Sequence, residues 1–330
     1  MTPREQARAV WLSSTLGGEP ERVEALPVDA SFRRYFRVWR GGVSRIVMDA
    51  PPDRENAEPF VHVAGLMRRA GVHVPEVLAY QAERGFLLLT DLGSQSYLDV
   101  IDETNADGLF ADALEALVRW QGATRAGALP PYDAELLGRE LDLFPTWYVE
   151  RHCAVQWSEA EWVRWSRIRQ DLIDSAVSQP QVFVHRDYMP RNLMISEPNP
   201  GVIDFQDAVI GPVTYDVVSL FRDAFLSWDD AHVSRWFEDY WQRARLAGIA
   251  LPAEFGAFRR AADWMGVQRH LKVLGIFARL KYRDGKDRYL GEAPRFIAYL
   301  RRAIACYGEL APLGGLLDGL SPTAGETVRD

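Results

Sequence analysis

Apolar and polar residues follow two different periods along this chain, and the change between them divides it. Within residues 3–15, Ala7, Val10, Trp11 and Leu12 recur at helical spacing and predict a short amphipathic helix. Strand-like runs follow at 22–26, 35–39 and 45–49, with Gly41-Gly42 turning between the last two and Pro51-Pro52 ending the third. Residues 59–70 predict a helix that buries Phe60, Val63, Ala64 and Met67; Pro59 suits its first position and Gly71 stops it. Runs at 72–80 and 86–90 complete a five-stranded sheet with one helix. From residue 94 the period is helical, at 109–121, 133–152 and 158–178, then at 214–226, 229–246, 254–281 and 292–307. The tail, 312–330, is rich in Gly, Thr and Pro and is expected to fray. The switch of period predicts an α+β architecture of two lobes. Its small N-lobe, 1–92, carries a five-stranded antiparallel sheet plus a helix, and its larger, mostly helical C-lobe spans 93–330.

The helical half is interrupted by the stretch that carries chemistry. An apolar run, Val182 to Val184, delivers His185-Arg186-Asp187; Asn192 follows five residues after that Asp, and then a second apolar run, Leu193 to Ile195. A turn rich in Pro, Asn and Gly, residues 198–201, leads into Val202-Ile203, which ends on Asp204. Two hairpin-linked strands would thus bring an Asp, an Asn and another Asp to one end of a small sheet. Phosphoryl transfer with a kinase-type loop needs these groups. One carboxylate, Asp187, would accept the hydroxyl proton as general base; an amide and a second carboxylate, Asn192 and Asp204, would hold Mg²⁺. His185 suits a brace for the loop, and Arg186 either a brace or a ligand for an acceptor carboxylate. Further on, Gly211-Pro212 reads as a turn and Thr214 as an N-cap. Asp216 then falls in the first helical turn, where a buried carboxylate could fix the backbone of the catalytic loop.

Composition narrows the rest. A chain of 330 residues, 48% hydrophobic and 25% charged, has room for two cores and no apolar stretch of membrane-spanning length. No signal-peptide core follows Met1, so the cytoplasm is the expected address, and a monomer the expected state. Cys153 and Cys306 are too few and too far apart for a disulfide framework or a zinc site. A net charge of −8 argues against a general nucleic-acid binder. Lysine occurs only at Lys272, Lys281 and Lys286, which excludes a Walker A loop. Phosphate contacts in the N-lobe must therefore come from elsewhere. The loop between the first two strands contains Ser31, Arg33 and Arg34, whose hydroxyl and guanidinium groups can meet phosphate. At the lobe junction, Asp91-Leu92-Gly93 can present backbone groups to a nucleotide base. Trp147, Trp157, Trp162 and Trp165 suit core or acceptor-wall positions.

These motifs resemble the aminoglycoside phosphotransferase/choline kinase group of the protein-kinase-like superfamily. The resemblance rests on His185-Arg-Asp-Tyr-Met-Pro-Arg-Asn192, Ile203-Asp-Phe-Gln-Asp207 and Gly211-Pro-Val-Thr-Tyr-Asp-Val217. More narrowly, Asp29-Ala-Ser-Phe-Arg-Arg-Tyr-Phe-Arg37, Met48-Asp-Ala-Pro-Pro52 and Gln268-Arg-His-Leu-Lys-Val-Leu-Gly-Ile-Phe-Ala-Arg279 look like the bacterial cell-wall amino-sugar kinases (AmgK-type). That resemblance covers nearly the whole chain. It implies ATP and Mg²⁺ as cofactors, a small-molecule sugar as partner, and phosphorylation of the anomeric hydroxyl of N-acetylmuramate and N-acetylglucosamine in peptidoglycan recycling. Gln206 and Asp207 would then reach sugar hydroxyls, and Gln268, Arg269 and Lys272 would supply polar and cationic groups for a lactyl carboxylate. One departure matters: Met48 stands where the superfamily carries a strand lysine. Arg33 or Arg34 is expected to compensate, leaving Glu55 or Glu58 without its usual partner. A kinase of another small alcohol, such as an aminoglycoside, and an inactive nucleotide-binding module are the alternative readings.

Overall fold

Side chains that alternate between two faces build the first sheet. Its strands are β1 (Arg22–Ala25), β2 (Arg34–Arg40), β3 (Val43–Asp49), β4 (Val77–Gln81) and β5 (Phe86–Thr90), all antiparallel in the order β1-β2-β3-β5-β4. The structure, a computed structural model, describes residues 1–27 and 32–320. By packing the chain forms two units, Met1–Trp120 with Pro190–Ala208, and Gln121–Met189 with Val209–Asp330, limits that differ from the expected boundary at 92/93.

In the first unit, one face of the sheet carries Val38, Val47 and Leu88, which pack around Leu12 of the N-terminal helix α1 (Pro3–Leu16). Thr2 caps that helix in a reciprocal capping box with Glu5, and Gly17 ends it at φ 71. Arg4 and Arg8 tie the helix to the buried Asp49 carboxylate at 2.6 and 2.8 Å, with Arg8 lying 3.6 Å above the Phe36 ring. On the opposite face are Tyr35, Arg37, Ile46, Met48 and Leu89, brought alongside one another by the registers Tyr35↔Met48, Arg37↔Ile46 and Ile46↔Leu89. Helix α2 (Glu58–Arg69) buries Phe60, Val63, Ala64, Leu66 and Met67, and Phe60 stacks on Phe205 at 4.7 Å.

Residues 190–208 pack with this sheet unit although they lie far along the chain. Leu193–Met194 pairs with Gly201–Val202 as a short hairpin. Ile195 donates to the Gln95 carbonyl at 2.9 Å and Val202 to the His73 carbonyl at 2.7 Å. The run Gln181–Val184 belongs instead to the second unit, paired with Val209–Pro212. The single small sheet expected from the sequence is therefore two separate ribbons.

The second unit is helical around one long helix, Phe255–Asp284. Every residue from Ala262 to Lys272 is buried, so this helix has no solvent face there; it packs against Phe144–His152, Glu159–Val177, Tyr215–Phe221 and Ala293–Cys306. At Gly275 a Cβ would come within 2.4 Å of the Leu143 backbone, so the approach there requires glycine.

Several expected elements are shorter or reshaped. The fourth strand starts at Val77 rather than 72, because Pro75 offers no N–H and the register shifts between Val77 and Ala79. The segment 133–152 is an α-helix, Ala134–Leu141, followed by a π-helical stretch, Phe144–His152, that opens with Pro145 in its first turn. The helix expected at 214–226 ends at Phe221, where Asp223 accepts hydrogen bonds from the N–H groups of Ala224 and Phe225. Gly211-Pro212 is strand rather than turn, and Gly211 sits where a Cβ would meet Tyr132 at 2.9 Å. Thr214 does not cap the helix; its hydroxyl donates to Gln179 at 2.7 Å. In the tail, Ala311–Asp318 is helical and buries Leu313, Leu316 and Leu317 instead of fraying; the rest of the tail, 321–330, lies outside the described residues. Trp157 and Trp165 are core residues, and Trp162 is exposed.

Candidate active site

The inner face of the first unit's sheet walls a cavity of about 380 Å³. Ile46, Leu89, Leu92 and Phe60 make it apolar, and Asn192 and Asp204 from the hairpin segment line it with oxygen donors. Asn192 Nδ2 lies 3.5 Å from Asp204 Oδ2, and Gln206 Nε2 donates to Asp204 Oδ1 at 2.9 Å. Asp204 holds φ 64, the left-handed region, which costs a residue with a Cβ about 1–2 kcal/mol and is met mainly where function demands it. The donor set suits a hard divalent cation. Among the described residues no three His, Cys, Asp or Glu side chains cluster to hold a metal alone. An amide and a carboxylate would share such an ion with phosphate oxygens and water, the usual condition of Mg²⁺.

Asp91 and Leu92 also line this cavity, but the Asp91 carboxylate is already engaged. Arg37 grips it through two bonds of 2.7 and 3.1 Å and reaches the Gly93 carbonyl at 2.6 Å, so the backbone rather than the side chain of this segment is available to a ligand. Ser31 lies outside the described residues. Arg34 is exposed on β2. Arg33 pairs with Glu55 at 3.1 Å, and Glu55 also accepts from the Phe32 N–H at 3.1 Å. Glu55 has therefore not lost its cation: Arg33 is its partner, while Met48 is wholly buried. Burial pushes the Tyr35 hydroxyl up to about 12; Arg33 opposes that shift, and Asp204 and Glu55 add to it, so these groups share one local field.

The catalytic-loop residues His185, Arg186 and Asp187 belong to the second unit. Asp216, on the helix Tyr215–Phe221 and fully buried, accepts from the N–H of His185 at 2.7 Å and of Arg186 at 3.0 Å. Those bonds hold Arg186 at φ 77, and the left-handed residue turns the next one, Asp187, out of the line of the strand. His185 accepts the Asp187 N–H on Nδ1 at 3.2 Å, and Asp187 O takes the N–H of Met189 at 3.0 Å. Burial pushes the Asp216 carboxyl up to about 7; the two N–H bonds pull it back, Asp187 adds to the rise, and Arg269 opposes it.

Arg186 Nη2 and Lys272 Nζ both bind the buried Glu140 carboxylate, Lys272 at 2.9 Å, and Lys272 donates to the Tyr215 hydroxyl at 3.0 Å. Burial disfavours all three charges, yet the mutual attraction prevails: Glu140 is held below the usual carboxylate range, and Lys272 and Arg186 above their ordinary values. Gln268 and Arg269 are buried, Arg269 against the Arg222 carbonyl. The face that carries Gln268, Arg269 and Lys272 is thus an interior one. Asp207 is exposed in the first unit, and Gln206 orients Asp204 there. Glu140, Arg37 and Tyr35 escaped the sequence reading, since nothing local distinguishes them from ordinary helix or strand residues.

Three comparisons bear on this geometry. The model of the phosphotransferase enzyme family matches residues 22–256. A protein of Pseudomonas putida named N-acetylmuramate/N-acetylglucosamine kinase is 55% identical, over 97% of this chain and 98% of its own length. One of the same name from Neisseria meningitidis is 44% identical over 93% of each. Among solved structures, the choline kinase LicA of Streptococcus pneumoniae matches with a TM-score of 0.58 at 14% identity, over 93% of this chain and 100% of its own, which shows a shared fold.

The buried Asp216 yields a pH prediction. Its pKa in the folded chain, about 7, lies above the unfolded value of about 3.9. The stability it contributes is thus fully present below about pH 4 and is lost as pH rises through 7. Asp216→Asn cannot titrate, so the melting-temperature advantage of the wild type over this variant should shrink between pH 4.5 and 7.5. Parallel curves across that range would refute the shift.

Proposed function

This chain belongs to the phosphotransferase enzyme family, and on that premise we propose that it transfers the γ-phosphate of ATP, with Mg²⁺, to the anomeric hydroxyl of N-acetylmuramate and N-acetylglucosamine. It is a sugar kinase. The cytoplasm and the recycling of peptidoglycan sugars are its proposed setting; no helix among the described residues is long and apolar enough to cross a membrane. What carries the reading is the Asn192–Asp204 pair on an apolar cavity wall, in a chain 55% identical end to end to a kinase named for those two sugars.

Each group then has a task. Ile46, Leu89 and Leu92 offer apolar surface to the base, and the backbone at Asp91 and Leu92 offers its polar edge. Arg33 is suited to phosphate charge, as its planar fork of donors suits oxyanions. Asn192 and Asp204 would hold Mg²⁺, whose charge when bound draws negative charge from the phosphate oxygens. Asp187 orients the acceptor hydroxyl and takes its proton as the O–P bond forms and ADP leaves. An anomeric hydroxyl is more acidic than an ordinary alcohol, so orientation is the greater part of that service. Arg186 and Lys272, in the same unit as Asp187, suit the lactyl carboxylate of N-acetylmuramate.

Anomeric transfer has a direct readout, because it blocks the reducing end of the sugar. ADP release with either amino sugar should run in step with loss of reducing-sugar signal, whereas kanamycin and choline should release none; ADP formed with the reducing end intact would exclude the anomeric position. Asp187→Ala should lower kcat by about 10²–10⁴-fold with nucleotide affinity little changed, and near-normal turnover would remove it as the base. Arg33→Ala should raise the KM for ATP about tenfold while Arg34→Ala stays within about twofold, the value of one charged hydrogen bond. Equal effects of the two substitutions would mean that Arg33 is not the lysine's replacement.

A further inference from the structure

Beneath the catalytic loop of the second unit lies a charge cluster that the transfer step does not by itself require. Its centre is Glu140, on the helix Ala134–Leu141 and 7% exposed. This carboxylate takes Lys272 Nζ at 2.9 Å, an Nη2 donor of Arg186, and the Tyr132 hydroxyl. Lys272 and Arg186 keep some surface, 11% and 20% of their side chains, and the Arg186 Nε donor finds no acceptor among the described residues. Both cations feel the charge of Asp187, one residue from Arg186 in the chain. Tyr215 also faces both cations and Tyr132 faces Arg186, while His185 and Asp216 lie against Asp187, with Arg269 beside Asp216. Two cations therefore meet two carboxylates, and without Glu140 the balance would be two against one.

That balance bears on which sugars can bind. N-acetylmuramate carries a lactyl carboxylate on the third ring carbon, two atoms along the ring from the anomeric carbon, whereas N-acetylglucosamine has only a hydroxyl there. With its anomeric oxygen at Asp187, an acid sugar places its carboxylate within reach of cations grouped around that residue. Uncompensated cations beside the base would favour the acid sugar and penalise the neutral one, because a buried charge left without a partner is costly. Discrimination of this kind is a difference between two binding free energies. Resting on the sugar-kinase reading above, we infer that Glu140 sets acceptor specificity: as the internal counter-charge of Arg186 and Lys272, it lets one site accept both the carboxylate-bearing and the neutral amino sugar. With the neutral sugar bound, Glu140 alone satisfies the cations. With the acid sugar bound, the lactyl carboxylate shares them.

The test is the ratio of kcat/KM for N-acetylmuramate to that for N-acetylglucosamine, measured on the full chain. A softened loop or a slower chemical step affects both sugars and cancels in that ratio. Glu140→Gln should raise it about tenfold and Lys272→Met lower it about tenfold, the scale of one unit charge a few ångströms away when water screens it strongly. The double variant, which restores the charge balance, should return to within about threefold of the wild type. Lys272→Met keeps Glu140 paired with Arg186, so it decides the matter should Glu140→Gln fail to fold. A ratio unmoved, or moved the opposite way, in either folded variant overturns the inference, given a wild type that phosphorylates both sugars. A wild type that phosphorylates neither sugar overturns the sugar-kinase reading itself.

Discussion

Two hydrogen bonds to one buried carboxylate hold the His185–Asp187 loop in its shape. A strand that continued past Val184 would carry Asp187 along with it; Arg186, at φ 77, breaks that path, and Asp216 stabilises the break by taking the N–H groups of His185 and Arg186. Left-handed backbone at a non-glycine residue persists only where its surroundings impose it. Here they are a carboxylate that burial would rather protonate and two backbone donors that would otherwise go unpaired in the interior. Loop and carboxylate each supply what the other lacks, and both lie within the second unit.

Arginine does most of the charge work here. In the first unit Arg33 pairs with Glu55, and Arg37 secures the segment that follows β5 by holding both oxygens of Asp91. A guanidinium offers several donors in a fixed plane and stays charged when half-buried, which lets one side chain grip a carboxylate and a carbonyl together, as Arg37 does with Asp91 and Gly93. In the second unit Lys272 sits in the interior because Glu140 waits there for it. The buried Arg222 and Lys272 are each matched by a carboxylate, Asp263 and Glu140, in keeping with the cost of burying a charge alone.

Much of the fold was legible in the sequence because periodicity is local. The alternation in β2, β3 and β5 and the helical stripe of α2 arise from residues a few positions apart, so a reading of the chain finds them. It failed where partners are distant or where one residue breaks a pattern. Pro75 and Pro145 reshape the elements that contain them, and the hydrophobic stripe sought in Phe255–Asp284 does not exist, because that helix is buried all round over Ala262–Lys272. Lys272 and Arg269 on it are interior groups, with partners in Glu140, Tyr215 and the Arg222 carbonyl on other elements.

Asp187, Asn192 and Asp204 stand out as candidates from their spacing, a carboxylate, an amide and a second carboxylate on adjoining turns. What they needed from the tertiary structure was their surroundings. That Glu140 answers Arg186 across 46 residues of chain, that Arg33 rather than Arg34 faces Glu55, and that Asp216 closes on the loop 30 residues before it are facts of distance in space. Electrostatic and hydrogen-bond energies depend on that distance and on burial, and neither is written in the order of the residues.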